Sequence, residues 1–216
     1  MVTCIRSVFG FLLVTAALPG AEPVDLARLL QGVEERYNSV RTLELTFEQT
    51  YISPNRARRV EAGSLRLRKP GRMRWEYTKP DGKLFVSDGS TYWYYSVLAR
   101  RAEKMKLKEA EDIQAPLAFL IGRLDFERDF GRFLIQPAGG LVTITAEPKN
   151  PQKSPFAQVA FTVGPDSRIS TLTIKNQDGA TMIFQFSGEI RNPALNDAIF
   201  TFVAPPGVEV VAGGER

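Results

Sequence analysis

The sequence predicts a mainly β domain with helices (α+β), built on an antiparallel sheet that curls into a cup with helices across its concave side. Three observations lead to that class. From Thr42 onward, segment after segment alternates apolar and polar residues with period two, the signature of strands with one buried face. The breaks between them carry turn residues, at Lys69-Pro70-Gly71, Lys79-Pro80-Asp81-Gly82, Asp88-Gly89 and Gln177-Asp178-Gly179. Finally, about ten strands with two or three short helices cannot all pair as a flat sheet, so the sheet has to curl. At 216 residues, 44% hydrophobic and 24% charged, the chain is long enough for one full core, and no repeat, low-complexity tract or linker divides it.

Residues 1–21 read as a secretory leader. Arg6 precedes the apolar run Val8 to Leu18, and small residues follow at Gly20 and Ala21. Pro19 stands where a small residue is expected for a cut after Ala21, so a cut after Gly20 fits as well. Export follows, and residues 22–216 form a single domain. Beyond the leader no apolar run approaches the ~18 residues that a membrane span needs. Cys4, the only cysteine, precedes the apolar run and is lost with it, leaving no disulfide and no thiolate chemistry.

Val24 to Ser39 spaces Leu26, Leu29, Leu30, Val33 and Tyr37 three and four apart among charged residues, which predicts an amphipathic helix. Asp25 suits its positive end, and Asn38-Ser39 is its stop. From Thr42 to Ile52 the period drops to two. Pro54-Asn55 turns the chain, and a second strand from about Ala57 to Arg68 runs back. Glu61 to Ser96 is a meander of four short strands. Within it Leu65 and Leu67 oppose Arg66 and Arg68, while Met73, Trp75 and Tyr77 oppose Arg72, Arg74 and Glu76. One surface is therefore apolar and aromatic, the other charged.

Past Ser96 the pattern changes. Arg100 to Lys108 is strongly basic and is assigned no element. Ala115 to Gly122 is an apolar block that begins with Pro116 and ends on glycine, the asymmetry of a short helix. Leu117, Phe119, Leu120 and Ile121 leave that helix little polar face, so it must be covered on most sides. Asp125 to Phe133 adds another short helical turn. Strands return at Leu141 to Glu147, Phe156 to Val163, Ile169 to Asn176 and Met182 to Ser187. Phe200-Thr201-Phe202 supplies a last strand before an extended tail through Pro205-Pro206-Gly207-Val208.

Histidine is absent, which removes His-activated nucleophiles and the usual zinc ligand sets. The net charge is +4; with Arg6 gone, 28 basic residues become 27 against 24 acidic, a modest excess suited to an anionic membrane surface or an acidic partner. The basic cluster Arg56, Arg58, Arg59, Arg66, Arg68, Lys69, Arg72 and Arg74 lies beside Trp75 and Tyr77. Alternation sends the aromatics and arginines to opposite faces, so they do not jointly grip a nucleic-acid strand, and no nucleic-acid partner is expected. The carboxylate pairs Glu109/Glu111 and Asp125/Glu127 have no apolar surroundings to raise a pKa; a two-carboxylate hydrolase is the rival reading from another class. The aromatics Phe47, Trp75, Tyr77, Trp93, Phe161, Phe184, Phe186 and Phe202 fit either a filled barrel core or a cavity for an apolar ligand. Periodicity does not separate the two.

Lys69-Pro70, Arg74-Trp75, Pro80, Val86-Ser87-Asp88-Gly89 and Trp93-x-Tyr95 stand in an order that resembles the outer-membrane lipoprotein carrier family, LolA. The likeness extends to Tyr37-Asn38-Ser39-Val40 with Phe47-x-Gln49, to the Ala115-Pro116 helix, to the Asp178-Gly179 hairpin and to the Phe200-to-Val208 ending. The resemblance implies an incomplete β-barrel closed by a helical lid, with no enzymatic activity and no cofactor or metal. It further implies a periplasmic monomer carrying lipidated lipoproteins from an inner-membrane lipoprotein-releasing complex to an outer-membrane receptor or acceptor. A carrier or sensor of other lipids is the nearer alternative.

In that family a basic residue before the proline closes the lid by hydrogen bonding helix carbonyls. The position is Lys69 here, where better known members have arginine, with neighbouring Arg68 as a second candidate. The resemblance also places lid contacts at Leu29 or Leu30 and at Leu120 or Ile121. The acyl cavity is expected to be lined by Leu45, Phe47, Leu65, Leu67, Met73, Trp75, Tyr77, Phe161, Phe184 and Phe186.

Overall fold

The period-two segments become strands where their patterns mark them. The computed structural model describes residues 24–107 and 123–213. Helix α1 (Leu26–Asn38) begins at Asp25, whose carboxylate accepts the backbone N–H of Arg28. It ends at Ser39, whose N–H is donated to the Glu35 carbonyl. Then come β1 (Thr42–Ile52), β2 (Arg58–Arg68), β3 (Arg72–Lys79), β4 (Asp81–Asp88), β5 (Thr91–Ser96) and β6 (Arg101–Lys106). After a short α2 (Phe126–Asp129) follow β7 (Phe130–Ala138), β8 (Leu141–Pro148), β9 (Phe156–Val163), β10 (Ile169–Asn176), β11 (Thr181–Arg191) and β12 (Glu209–Ala212).

All twelve described strands belong to one sheet in the order β12-β6-β5-β4-β3-β2-β1-β11-β10-β9-β8-β7. The two end strands do not pair with each other, so the sheet is curled but open. Neighbours are antiparallel, except that β12 lies parallel to β6. Long β1 holds the centre, paired with β2 along its whole length and with β11 on the other side. Side chains of one parity, from β1 to β5 and β8 to β11, gather into a single buried cluster with Leu30, Val33 and Tyr37 of α1.

Close packing explains Gly63. The Phe47 ring lies over it, and a Cβ there would stand 1.9 Å from the Glu76 carbonyl oxygen and 2.9 Å from the tip of Phe47. Only glycine lets the two strands and the ring approach this closely.

Several expectations need correction. The basic stretch after Ser96 contains β6, whose alternation is hidden because its two buried residues face opposite ways: Ala102 pairs with Tyr95, and Met105 with Tyr92. The helical turn expected over Asp125 to Phe133 is only Phe126–Asp129. From Phe130 the chain is strand β7, and a register shift between Phe130 and Arg132 breaks its period. Phe200-Thr201-Phe202 is not a strand: Asp197–Phe200 is a 3-10 turn capped by the Asn196 side chain, and the last strand is β12. Trp93 and Phe202 are not part of the inner aromatic set. They meet each other at 5.1 Å between ring centroids on the outer face, where Phe202 also meets Tyr95. The expected helix of residues 115–122, with Leu120 and Ile121, lies outside the described residues, as do the leader and Cys4.

Candidate functional site

The concave face is an aromatic floor with α1 over it. Cross-strand register sets its centre: Leu45 opposes Leu65, Leu65 opposes Trp75, and Trp75 opposes Phe85. Around Trp75 the ring centroids of Phe47, Phe184 and Tyr77 lie at 4.7, 5.6 and 6.2 Å. Phe85 extends the cluster to Tyr94 at 4.8 Å. From the other half of the sheet, Phe161 stacks on Phe126 of α2 at 5.0 Å. Leu45, Phe47, Leu65, Leu67, Met73, Trp75, Tyr77, Phe161 and Phe184 are all buried, and Phe186 is half-buried beside Phe184.

Two polar features interrupt this floor. The Tyr77 hydroxyl donates to the Gln49 amide oxygen at 2.6 Å, and burial, then the nearby Glu61 carboxylate, hold its phenol above the ordinary range. The Trp75 indole N–H is buried without a hydrogen-bond partner among the described residues. Such a donor costs stability where it stands.

Helix α1 is fastened chiefly at its C-terminal end. Lys69 follows β2 with the parity of Leu65 and Leu67, so its side chain rises over the concave face. Its ammonium donates to the Tyr37 carbonyl at 2.8 Å. That carbonyl belongs to the last turn of α1, where backbone acceptors lack helical partners and the dipole is negative. Burial lowers the pKa of Lys69. The turn that carries it is braced by the buried Ser87, whose hydroxyl donates to the Gly71 carbonyl at 2.8 Å. Asp88 closes the neighbouring turn by accepting the N–H groups of Ser90 and Thr91.

Arg68 lies on the opposite face. Its guanidinium binds Asp197 and the Leu195 carbonyl, and Arg72 joins it on Asp197. Arg68 thus holds the C-terminal segment to the outside of the sheet.

Further fastenings were not legible in the sequence. Glu189 of β11 has a side chain only 3% exposed; it accepts from the Arg36 guanidinium and, at 2.9 Å, from the Tyr37 hydroxyl. The Ile169 N–H donates to that same hydroxyl at 3.0 Å. Burial and the Glu189 charge push the Tyr37 phenol well above its ordinary value, so it stays a donor. Asn38 exchanges two hydrogen bonds with the Leu124 backbone, and Glu34 accepts the Phe126 N–H at 2.7 Å. Leu29 is half-buried against the core, and Leu30 is buried within it. The only signal for these polar contacts was the run of hydrogen-bonding residues at the end of the helix.

This geometry can shelter an apolar chain beneath a helix held by a few breakable polar bonds. The chain matches the family of outer membrane lipoprotein carrier proteins, LolA, over residues 38–203. It is 30% identical to an outer-membrane lipoprotein carrier protein of Chromobacterium violaceum, over 96% of this chain and 99% of that one. It is 33% identical to a protein of the same name from Dechloromonas aromatica, over 80% and 82%. Its fold is similar to that of an uncharacterized conserved protein from Thermus thermophilus, with a TM-score of 0.52 and 14% identity, covering 86% of this chain and 98% of that one. The open curled sheet, its aromatic concave face and these matches along most of the sequence place the chain in the LolA family of outer-membrane lipoprotein carriers.

Proposed function

We propose that this protein is a periplasmic carrier that holds the acyl chains of lipidated lipoproteins against its concave face and takes them from the inner to the outer membrane. The reading rests on one observation above all: an aromatic floor lies beneath a helix whose last turn is held by a few polar bonds, the Lys69 ammonium on the Tyr37 carbonyl among them. The names of its relatives support the same cargo. Lys69 is the latch in this reading, because its ammonium meets a carbonyl of α1 while Arg68 serves the outer face. Leu29 and Leu30 belong to one half of the lid, and residues 115–122, with Leu120 and Ile121, supply the other. The protein acts as a monomer and a carrier rather than a catalyst, loaded by an inner-membrane releasing complex and relieved by an outer-membrane acceptor.

Magnitudes suit a carrier. Seating Leu30, Val33 and Tyr37 stabilises the closed helix by about 4.5–9 kcal/mol, at roughly 1.5–3 per buried side chain. A sixteen-carbon acyl chain contributes about 12 kcal/mol if fully buried, at ~0.8 per CH₂. Cargo therefore displaces the helix, yet the helix's return opposes tight retention and favours handover. The Lys69 bond, about 1.5–3 kcal/mol, adjusts this balance without dominating it.

Mass spectrometry of what stays bound after purification tests the proposal, together with displacement of an apolar dye by a synthetic triacylated lipopeptide. The expected result is co-purified protein with an acylated N-terminal cysteine, and displacement by the lipopeptide but not by its deacylated form. Free phospholipid alone, without displacement by lipopeptide, would assign the fold to other lipids. Turnover of a lipid or glycan substrate that is lost on changing one carboxylate would replace the carrier with a hydrolase.

A further inference from the structure

Antiparallel order puts the β1–β2, β3–β4 and β5–β6 hairpins on one edge of the sheet, opposite the edge that carries Lys69. With strands ~4.8 Å apart, these turns span an arc of about 20 Å. Contacts join them: the Val97 N–H donates to the Gly82 carbonyl at 2.8 Å, and Glu61 at the start of β2 binds both Arg59 and Lys83.

This edge is basic. Arg56, Arg58, Arg59, Lys79, Lys83, Arg100 and Arg101 stand there against Glu61, Asp81, Glu103 and Glu209. Glu61 is buried between Arg59 and Lys83, and Glu103 is taken by Arg101. Arg56, Arg58, Lys79 and Arg100 are exposed and have no acidic partner among the described residues. Beside them the β5–β6 turn, Val97-Leu98-Ala99, presents an apolar tip: Leu98 is 97% exposed and Val97 51%. A lone exposed leucine is ordinary on a protein surface; here it is the most exposed large apolar side chain among the described residues and it stands among unpaired cations.

We infer that this edge docks reversibly on a bilayer containing anionic phospholipid headgroups, with Leu98 entering the interface and Arg56, Arg58, Lys79 and Arg100 resting on the phosphates. The chemistry favours a bilayer over a protein partner. One protruding leucine and a ring of separated cations make too small an apolar area for a stable protein interface, but fit a surface of negative charge over hydrocarbon. Each basic residue near such a surface strengthens binding roughly fivefold, so four unpaired ones give on the order of several-hundredfold over a neutral bilayer. Attraction of this kind fades beyond a Debye length and is lost in high salt, which keeps the contact transient. This docking concerns the outside of the sheet and does not depend on what the concave face carries.

The test is vesicle flotation without cargo, using protein recovered from the periplasmic fraction after expression of the full chain. Vesicles of phosphatidylcholine with roughly one third phosphatidylglycerol should float the protein at low salt, and pure phosphatidylcholine should not. Leu98→Asp should weaken binding about fivefold or more, and Arg58→Glu with Arg100→Glu more than tenfold, all with unchanged thermal unfolding. Arg41→Glu, an exposed charge change at the opposite edge, should have little effect. The inference is overturned if the unmodified protein does not float with anionic vesicles, if the rim variants bind like it, or if Arg41→Glu weakens binding as much as they do.

Discussion

Lys69 combines two opposed effects: burial disfavours its charge, while the Tyr37 carbonyl uses that charge as a donor. Lys69→Leu should loosen the last turn of α1, by the one bond it removes, and raise the affinity for an environment-sensitive apolar dye by about one to two decades, measured by fluorescence titration. Lys69→Arg should act the other way, because a guanidinium fork reaches two carbonyls at once. A pH signature accompanies the lysine. Its folded pKa is lowered, so the unfolded chain binds more protons, and its unfavourable contribution, full below the folded pKa, fades as pH rises toward the ordinary value. Unfolding free energies of wild type and Lys69→Leu, compared from neutral pH to about 10, should therefore move in favour of the wild type. Gly63 is the other decisive single position. With backbone at 1.9 Å and a packed ring at 2.9 Å, a methyl group has nowhere to go, and Gly63→Ala should cost about 3 kcal/mol in urea denaturation.

At the scale of elements, α1 sits on the sheet by apolar burial and is positioned by polar bonds. Leu30, Val33 and Tyr37 supply the burial, and Glu189, Lys69 and Leu124 fix where the helix ends. The Arg36–Glu189 pair is well covered, at 14% and 3% side-chain exposure. Removing Glu189 leaves the covered Arg36 with only the Asp166 carbonyl and, at 3.8 Å, its exposed carboxylate. Glu189→Ala should thus destabilise the protein by roughly 3–5 kcal/mol, whereas Arg36→Met combined with Glu189→Leu should cost much less. Denaturant titration of the single and double variants reads the difference directly. If the single and double variants were equally unstable, the pair would be holding the helix by its charges rather than avoiding a stranded one.

For the whole molecule, the proposed function makes α1 and cargo competitors for one apolar face. A ligand that binds the folded state alone raises stability by about 2.7 kcal/mol at a hundred times its dissociation constant. Triacylated lipopeptide should therefore raise the melting temperature, and the deacylated peptide should leave it unchanged. Trp75 sits in the middle of that face, so replacing it with a charged residue should abolish the lipopeptide shift. A binding-competent, folded Trp75→Glu variant would remove Trp75 from the cavity lining.

The sequence by itself determined the strands whose two faces differ. β1, β9 and β10 run from the residues at which alternation starts to those at which it stops, because one covered face imposes period two on the residues themselves. It also determined α1, through its apolar spacing and the Asp25 cap. Where coverage does not follow a single face, the signal vanishes: β6 buries Ala102 and Met105 on opposite sides, and the bulge in β7 shifts its phase. In Thr91–Ser96, with aromatics at four successive positions, Trp93 was expected in the inner set, and register overturned that by placing Tyr92 and Tyr94 inside and Trp93 outside. The partners of the site were beyond local reading. Arg36 and Glu189 lie 153 residues apart, Lys69 and Tyr37 32 apart, and a hydrogen bond between them leaves no periodic trace in either segment. Tertiary structure alone chose Lys69 for the helix and Arg68 for the outer face, since adjacent residues on a strand point to opposite sides and only one side has α1 above it.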